Sequence, residues 1–238
     1  MSFLYHTFFF DPLYNALIIL FRVLPWADAG IVVIILTVLV RLLLFPLSRK
    51  AVLTQIRMNQ IAPDLEKIKE NYKNNPEEQA RKTLALYQEK KINPFSGIFV
   101  ILIQLPIIFA LYRIFLHFSE INPELLYFFV QAPENINTLF IGMIDLSASS
   151  ILLAMLAAIS TYFQLHVSVQ SQKPKSGGSN SFSDNLSRNM QSQMKYFFPV
   201  IVFLISYKIS AAISLYWFVT NLFSIGQEIV IRKHTKLV

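Results

Sequence analysis

Residues 31–47 read IVVIILTVLVRLLLFPL, an apolar run that only Thr37 and Arg41 interrupt. An apolar run of about 17 to 25 residues is long enough to cross a bilayer as a helix. Four further apolar runs follow it, of which the third is short: residues 99–118, 151–167, 196–209 and 211–231. The sequence therefore predicts an all-α integral membrane protein with five transmembrane helices. The short run implies local thinning of the bilayer or tilted neighbouring helices.

The composition supports a bilayer as solvent. Hydrophobic residues make up 54% of the 238 residues and charged residues only 15%, whereas soluble domains carry about 25% charged residues. The chain has no Cys, which excludes disulfides and Cys-containing metal sites. Its four His are scattered, and no nucleotide-binding loop or nucleophile–base set is present. We therefore expect no enzyme activity, no metal and no other cofactor.

The positions of Lys and Arg predict the orientation. Segments 48–96, 168–195 and 232–238 hold ten, four and three of the 21 Lys and Arg residues. With five spans these segments lie on one side, whereas residues 119–146 contain four acids and no base. Cytoplasmic loops carry the excess of Lys and Arg. We therefore expect an extracytoplasmic N-terminus and a cytoplasmic C-terminus in the cell inner membrane. The net charge of +7 then reflects this bias and not nucleic-acid binding.

The sequence also predicts the structure of three segments outside the spans. The first 28 residues are apolar but interrupted by Asp, Arg and Pro, which favours an interfacial helix over residues 13–24, with a sixth span as the alternative. Pro63 and Asn75-Pro76 mark helix starts in a polar segment with helical periodicity. Residues 173–187 are rich in Ser, Gly, Asn and Lys, which is typical of a flexible loop.

The predicted organisation follows from these boundaries. It runs as an interfacial segment (1–28), span 1 (29–47), a cytoplasmic helical hairpin (48–96), span 2 (97–118), an extracytoplasmic loop (119–148), span 3 (149–167), a flexible cytoplasmic loop (168–195), span 4 (196–209), span 5 (211–231) and a cytoplasmic tail (232–238).

Polar residues inside the apolar runs are the candidate functional residues. An Arg near the bilayer centre costs about 2.5 to 3.5 kcal/mol on insertion scales. Arg41 and Gln104 each lie roughly 10 Å from the cytoplasmic end of their span at a rise of 1.5 Å per residue. Arg41 could instead extend its side chain to the inner headgroups.

Two other predicted spans are polar at the same level. In the last span the polar residues share one helix face; they are Ser214, Trp217, Asn221, Ser224 and Glu228. In the third span they are Ser160, Thr161, Gln164 and Ser168. Any one of these could simply bridge two helices. Together they predict a hydrated cavity that is open to the cytoplasm and closed on the outer side. The candidate groove residues are Thr37, Arg41, Gln104, Ser160, Gln164, Trp217, Asn221 and Ser224.

Longer motifs resemble a known family. Residues 40–115 contain Arg-Leu-x-x-x-Pro-Leu from Arg41, and Gln-x-Pro-Ile-x-x-Ala-Leu-Tyr from Gln104. This stretch resembles the first two core spans and the cytoplasmic hairpin of the YidC-family membrane protein insertases. MKYFFPVIVF (194–203) and LYWFVTNLFSIGQ (215–227) are similar to the last two spans of that family.

The resemblance implies a fold, a function and partners. It implies five core spans around an inner-leaflet groove with one arginine, which corresponds to Arg41, and groove or slide positions at Gln104, Gln164, Trp217 and Asn221. It implies insertion of membrane proteins without hydrolysis. The implied partners are nascent membrane proteins, the lipid bilayer, the Sec translocon and the ribosome.

Departures from the family pattern leave alternatives open. Ser210-Ala211-Ala212-Ile213 stands where the family has a Pro-Ala-Gly-Leu-like turn. The seven residues after Ile231 offer no long basic tail for a ribosome. A channel or secondary transporter is one alternative function, although polar residues are concentrated in the inner half of the predicted spans. A non-catalytic assembly subunit, in which Arg41 pairs with an acid of a permanent partner, is another.

Overall fold

The regular structure is almost entirely helical. The computed structural model describes residues 2–93, 96–116, 121–133, 135–169 and 182–235. In chain order its helices are α1 (Ser2–Tyr5), the π-helical segment His6–Phe10, α2 (Asp11–Val23), α3 (Ala29–Leu43), α4 (Phe45–Gln60), α5 (Ala62–Asn71), α6 (Pro76–Glu89), α7 (Ser96–Leu116), a 3-10 turn (Pro123–Leu125), α8 (Ile151–Val169), α9 (Phe182–Lys208) and α10 (Ala211–Thr235). Within these ranges the only strands are β1 (Leu139–Phe140) and β2 (Ile144–Asp145), which pair antiparallel.

Several helices match a bilayer by length and composition. Two of those described could each cross it, namely Phe3–Val23 and Ile151–Ser168. The bent pair α3 and α4 adds a third if the pair forms one broken span, and Leu102–Leu116 is apolar but shorter. The chain is therefore a mostly helical membrane protein. The N-terminal helix, predicted to be interfacial, is also long enough to span, so both interpretations of it remain.

The first predicted span is not one straight helix. α3 ends at Leu43, α4 begins at Phe45, and the axes of the two helices differ by 61°. Pro46 lies in the first turn of α4, where its missing N–H costs no hydrogen bond. Residues 29–47 therefore hold α3 and the start of α4. The cytoplasmic segment predicted from residue 48 begins inside α4, because an apolar run does not reveal a bend.

The helical pattern of the predicted hairpin is present in α4, α5 and α6. Pro63 lies in the first turn of α5, as its sequence context indicates. The Asn75 side chain caps α6 by accepting a hydrogen bond from the backbone N–H of Glu78 at 3.1 Å. A cap of this kind stabilises a helix by about 1 kcal/mol.

Other predicted boundaries differ or cannot be followed. α9 begins at Phe182, well before the predicted span start at residue 196. Apolar runs count only the residues that need lipid, so they miss polar helical turns at a span end. Of the predicted flexible loop, residues 170–181 lie outside the described residues, as do Pro94 in the hairpin and residues 236–238 of the tail.

The apolar core lies among α2, α3, α7 and α10. Its fully buried side chains include Leu17, Val32, Leu111 and Phe115. Ala110 of α7 is also fully buried, and small residues of this kind allow close approach of helices in a bilayer. α10 packs against α3 and α8, and α8 packs against α9. This arrangement leaves the C-terminal end of α3 and polar stretches of α7, α8 and α10 facing one another.

Hydrogen bonds from the first N–H groups of α3 are accepted by Asp28 and by the segment between α7 and α8. Asp28 caps α3 by accepting a hydrogen bond from the N–H of Ile31 at 3.0 Å. The N–H of Ala29 donates to the carbonyl of Asn137 at 2.9 Å. Two of the helix's free N–H groups therefore have partners. A buried helix end requires such partners because unpaired amides are costly in lipid.

The same segment also accepts hydrogen bonds from the first N–H groups of α10. The backbone N–H groups of Ala211 and Ala212 donate to the carbonyls of Ala148 and Leu146, at 2.7 and 3.2 Å. The Ser210 hydroxyl also donates to the Leu146 carbonyl, at 2.9 Å. Residues 210–213, which depart from the family pattern, thus form a turn whose polar groups are satisfied by the neighbouring loop.

Gly30→Ala should destabilise the fold. A Cβ at residue 30 would lie 2.0 Å from Cδ2 of Phe140, because β1 packs directly on α3. We expect a loss of about 1 to 3 kcal/mol from overpacking, measured as a lower thermal unfolding midpoint in detergent. Gly226→Ala is the matched control. Its Cβ would meet nothing within 4 Å, so this variant should gain roughly 0.5 to 1 kcal/mol in helix stability. Equal midpoints for the two variants would contradict the packing.

Candidate functional site

A polar cavity of about 680 Å³ lies between the helices described above. Its lining comes from α3, α4, α7, α8, α9 and α10. The polar side chains that line it besides Arg41 and Glu228 are Ser48, Gln55, Gln104, Thr161, Gln164, Ser168, Thr220, Asn221, Ser224 and Gln227. Apolar side chains complete the wall, among them Leu105, Ile108 and Phe198. A cavity with this lining is suited to water and to a partly polar chain.

The structure brings most of the predicted residues to this cavity. Six of the candidates line it: Arg41, Gln104, Gln164, Trp217, Asn221 and Ser224. Ser160 is buried behind the wall and contacts Asn221. Thr37 is buried in α3 and is not among the lining residues, since its hydroxyl donates to the carbonyl of Val33 at 2.6 Å. Thr37 therefore satisfies its own helix and does not face the cavity.

Arg41 contributes an uncompensated positive charge. It lies in the last turn of α3, next to the bend, and is partly exposed to the cavity. Within the part of the chain that the structure describes, its guanidinium forms no hydrogen bond and no ion pair. An unpaired charge in an apolar interior costs several kcal/mol. Arg41 is therefore stable here only because the cavity gives it polar surroundings.

Glu228, the other charged residue of the described lining, is already neutralised. Its carboxylate forms an ion pair with Arg232, one helical turn further along α10. The same carboxylate accepts a hydrogen bond from the Ser168 hydroxyl at 2.6 Å. Among the described residues, no carboxylate is paired with Arg41. The net field in the cavity is consequently positive.

Hydrogen bonds between helices fix the cavity wall. The Gln104 amide of α7 donates to the Tyr216 hydroxyl of α10 at 2.6 Å. The Gln227 amide donates to the Ser48 hydroxyl at 2.6 Å, which joins α10 to the start of α4. Such bonds hold the α7 and α4 sides of the cavity to α10, which is its common wall.

A third set of bonds joins α8 to α10. The Asn221 amide donates to the hydroxyls of Ser160 and Thr161, at 3.0 and 2.8 Å. Both hydroxyls in turn donate to the carbonyl of Ala157, at 2.9 and 2.8 Å. Asn221 thus serves as a helix bridge at the edge of the cavity as well as a lining residue. The two interpretations offered for this residue from the sequence are not exclusive.

Several lining residues were not among the sequence candidates. Tyr216 lies in an apolar stretch and its hydroxyl gives no signal of its own. Ser48 and Gln55 lie in α4, which the sequence assigned to the cytoplasmic hairpin. The bend after α3 carries them to the cavity wall. Pro46 was the one feature that could have suggested this, because a proline within an apolar run often marks a bend.

Helices of membrane-spanning length around one polar cavity define an α-helical integral membrane protein. The family model described as 60Kd inner membrane protein matches residues 20–237. A protein of Clostridium tetani named membrane protein insertase YidC is 31% identical over 209 residues, which is 88% of this chain and 84% of that protein. A Clostridium perfringens protein of the same name is 30% identical over 197 residues, which is 83% of this chain and 75% of that protein.

The chain therefore belongs to the 60Kd inner membrane protein family, and the resemblance to the YidC insertases is confirmed. A Campylobacter jejuni protein named membrane protein insertase YidC is 29% identical over 227 residues, or 95% of this chain. That match covers only 38% of the Campylobacter protein, so this chain corresponds to part of the larger relatives and to most of the clostridial ones.

Asn221→Ala should weaken the contact between α8 and α10. Loss of an interhelical hydrogen bond in a bilayer protein costs about 0.6 kcal/mol on average and up to about 1.7, and Asn221 makes two good ones. We expect a lower unfolding midpoint in detergent. Ser224→Ala is the control, because the Ser224 hydroxyl donates only to the Thr220 carbonyl of its own helix. A similar shift in both variants would mean that the bridge contributes nothing.

Proposed function

We propose that the chain is a membrane protein insertase that receives hydrophobic segments of nascent membrane proteins in the polar cavity and releases them into lipid. The observation that carries this proposal is the guanidinium of Arg41, which has no ion pair among the described residues and lies in a cavity lined by Glu228 and ten uncharged Ser, Thr, Asn and Gln side chains. The candidate residues around it act as the substrate groove. The family membership and the names of the relatives support the same function.

The orientation that we propose follows from charge. Five spans with the Lys-rich and Arg-rich segments on the cytoplasmic side place the inner end of α3, and therefore Arg41, toward the cytoplasm. The cavity then opens on the inner side, where a nascent chain arrives. The N-terminal helix lies along the outer interface, with Leu17 and Ile18 packed in the core.

Electrostatics explains what the groove does to a substrate. A polar flank must cross lipid before its apolar segment can settle, and an unpaired polar group in lipid is costly. A wet cavity part-way into the bilayer shortens that path. The positive charge of Arg41 attracts acidic flanks. Two unit charges 4 Å apart interact by about 1 kcal/mol in water and about 4 kcal/mol at an effective dielectric of 20.

The exit toward lipid lies between α7 and α9. Leu105 of α7 and Phe198 of α9 both line the cavity and both are substantially exposed. α8 packs against α9 and α10, whereas α7 packs mainly against α4 and the π-helical segment His6–Phe10. The described parts of α7 and α9 therefore flank an apolar opening. A substrate helix leaves along these faces because burial of its apolar surface in lipid is favourable.

The proposed process needs no bond-breaking step. Binding, charge neutralisation and release into lipid are all equilibrium steps, so the chain acts as an insertase and foldase without being an enzyme in the hydrolytic sense. It works alone or with the Sec translocon and meets the ribosome on its cytoplasmic side. An assembly subunit with Arg41 in a permanent ion pair is the competing function, and substrate-dependent effects of Arg41 substitution separate the two.

Substitution of Arg41 should affect acidic substrates most. Arg41→Ala should lower insertion of a substrate with an acidic outer tail by about one to three powers of ten, at 1.36 kcal/mol per power, and affect a neutral substrate less. Arg41→Lys should retain much of the activity, since the charge is kept. The measurement is in vitro insertion of matched acidic and neutral substrates into proteoliposomes.

Arg49→Ala is the control for this experiment. Arg49 is exposed on α4 and does not line the cavity, so its removal should leave insertion unchanged for both substrates. Equal activity of wild type and Arg41→Ala on the acidic substrate would exclude charge attraction as the role of Arg41.

Cysteine labelling tests the orientation. The chain has no native Cys, so each introduced thiol reports on a single site. Cys at Ala80 of α6 should react with a membrane-impermeant reagent only after the cells are opened. Cys at Glu124, in the loop between α7 and α8, should react in intact cells. Labelling of position 80 in intact cells would overturn the proposed orientation.

A further inference from the structure

The β1–β2 hairpin ends in an unusually apolar turn. Residues 139–144 read LFIGMI. The turn is closed by a hydrogen bond from the N–H of Met143 to the carbonyl of Phe140 at 3.1 Å, and its two central residues, Ile141 and Gly142, have φ of 54° and 68°. Positive φ at both positions is the geometry of a type I′ turn.

The residues of this turn are poorly suited to water. Asn-Gly and Asp-Gly are the preferred central pairs in such a turn, and a β-branched residue at positive φ is a conformational outlier. Ile141 nevertheless occupies that position and is 69% exposed, and Met143 is 84% exposed. Strained residues of this kind point to a functional role. The apolar side chains at the tip need an apolar partner outside the chain.

The hairpin is held at the height of a membrane surface. The N–H of Ile141 donates to the Asp28 carboxylate at 2.9 Å, and the Phe140 ring packs on Gly30 in the first turn of α3. The turn is therefore fixed at the outer end of a membrane helix. The headgroup region begins at this level and is roughly 5 to 7 Å thick on each side. The N–H groups of Ile141, Gly142 and Met143 all have partners within the chain, which lowers the cost of moving the turn out of water.

A second turn in the same loop has the same character. Residues 127–130 form a turn closed by a hydrogen bond from the N–H of Val130 to the carbonyl of Tyr127 at 2.8 Å. Its two central residues, Phe128 and Phe129, are 100% and 59% exposed. The N–H of Tyr127 donates to the Asn15 side chain at 2.7 Å, which fixes this turn on α2. Two independent turns of the same loop thus expose large apolar side chains.

We propose that these two turns are interfacial anchors, which insert Ile141, Met143, Phe128 and Phe129 into the boundary between headgroups and acyl chains of the outer leaflet. Aromatic and aliphatic side chains are favourable at that depth. Residues 119–146 contain no base, so the contact is apolar and does not rely on anionic lipid. The anchored loop is the one whose carbonyls cap α10, so the anchors set the height of that helix's start.

Nitroxide labels at single Cys residues test the insertion. We would label Met143→Cys and Phe128→Cys, reconstitute each protein alone in phosphatidylcholine–phosphatidylglycerol vesicles, and compare collision rates with oxygen and with a water-soluble nickel complex. Phe109 of α7, 59% exposed, and Leu84 of α6, 58% exposed, provide the lipid and water references. We expect several-fold lower nickel accessibility at 143 and 128 than at 84.

Ile141→Asn separates insertion from folding. Asn tolerates positive φ better than Ile, so this variant should keep or raise the unfolding midpoint in detergent. It should also raise the nickel accessibility of a label at 143. Nickel accessibility at 143 and 128 equal to that at 84 would overturn the proposal, as would protection that arises only when a second protein is added. Insertion of the turns does not depend on insertase activity, so it can fail or hold independently of the proposed function.

Discussion

The guanidinium of Arg41 has no carboxylate partner among the described residues and lies in a helix of almost wholly apolar composition. A charge in that position needs either an acid or polar surroundings, because lipid provides neither. The surrounding helices provide these polar surroundings. Gln104, Gln164 and Asn221 come from three different helices and meet at one cavity. They form one arrangement around a charge, in which Gln104 and Asn221 also bridge neighbouring helices.

The bend between α3 and α4 makes this arrangement possible. A straight continuation of α3 would carry Ser48 and Gln55 away from the other helices that line the cavity. The 61° change of direction instead lays α4 along the cavity, where Ser48 is bonded to Gln227 of α10. The cavity wall is therefore built partly by the segment that the sequence assigns to a cytoplasmic hairpin. In the proposed orientation, movement of that hairpin would couple directly to the width of the groove.

The sequence predicts which residues are polar within an apolar helix. It does not predict which neighbouring groups their side chains contact. Arg41, Gln104 and Asn221 were predictable, because a polar residue inside an apolar run needs a reason to be there. Tyr216 was not, since it lies in an apolar stretch and only packing shows that its hydroxyl accepts a hydrogen bond from the Gln104 amide. Thr37 shows the converse, because it was a candidate for the groove but is buried in α3 and is not among the lining residues. A hydroxyl in a helix can satisfy itself on its own backbone, as Thr37 does, and then gives no information about what its helix face contacts.

In the proposed orientation, the outer and inner ends of the molecule satisfy their polar groups in different ways. At the outer end, the loop between α7 and α8 pairs the free amides of α3 and α10 with its own carbonyls, so this end needs no water. At the inner end, polar side chains are grouped around a cavity, and Arg41 has no ion pair among the described residues. Because the outer end is closed and a polar cavity lies at the inner end, the apolar barrier is shortened from the cytoplasmic side only. That asymmetry is what an insertase requires and what a channel must avoid, because a polar segment is admitted from the cytoplasm without a continuous aqueous path through the membrane.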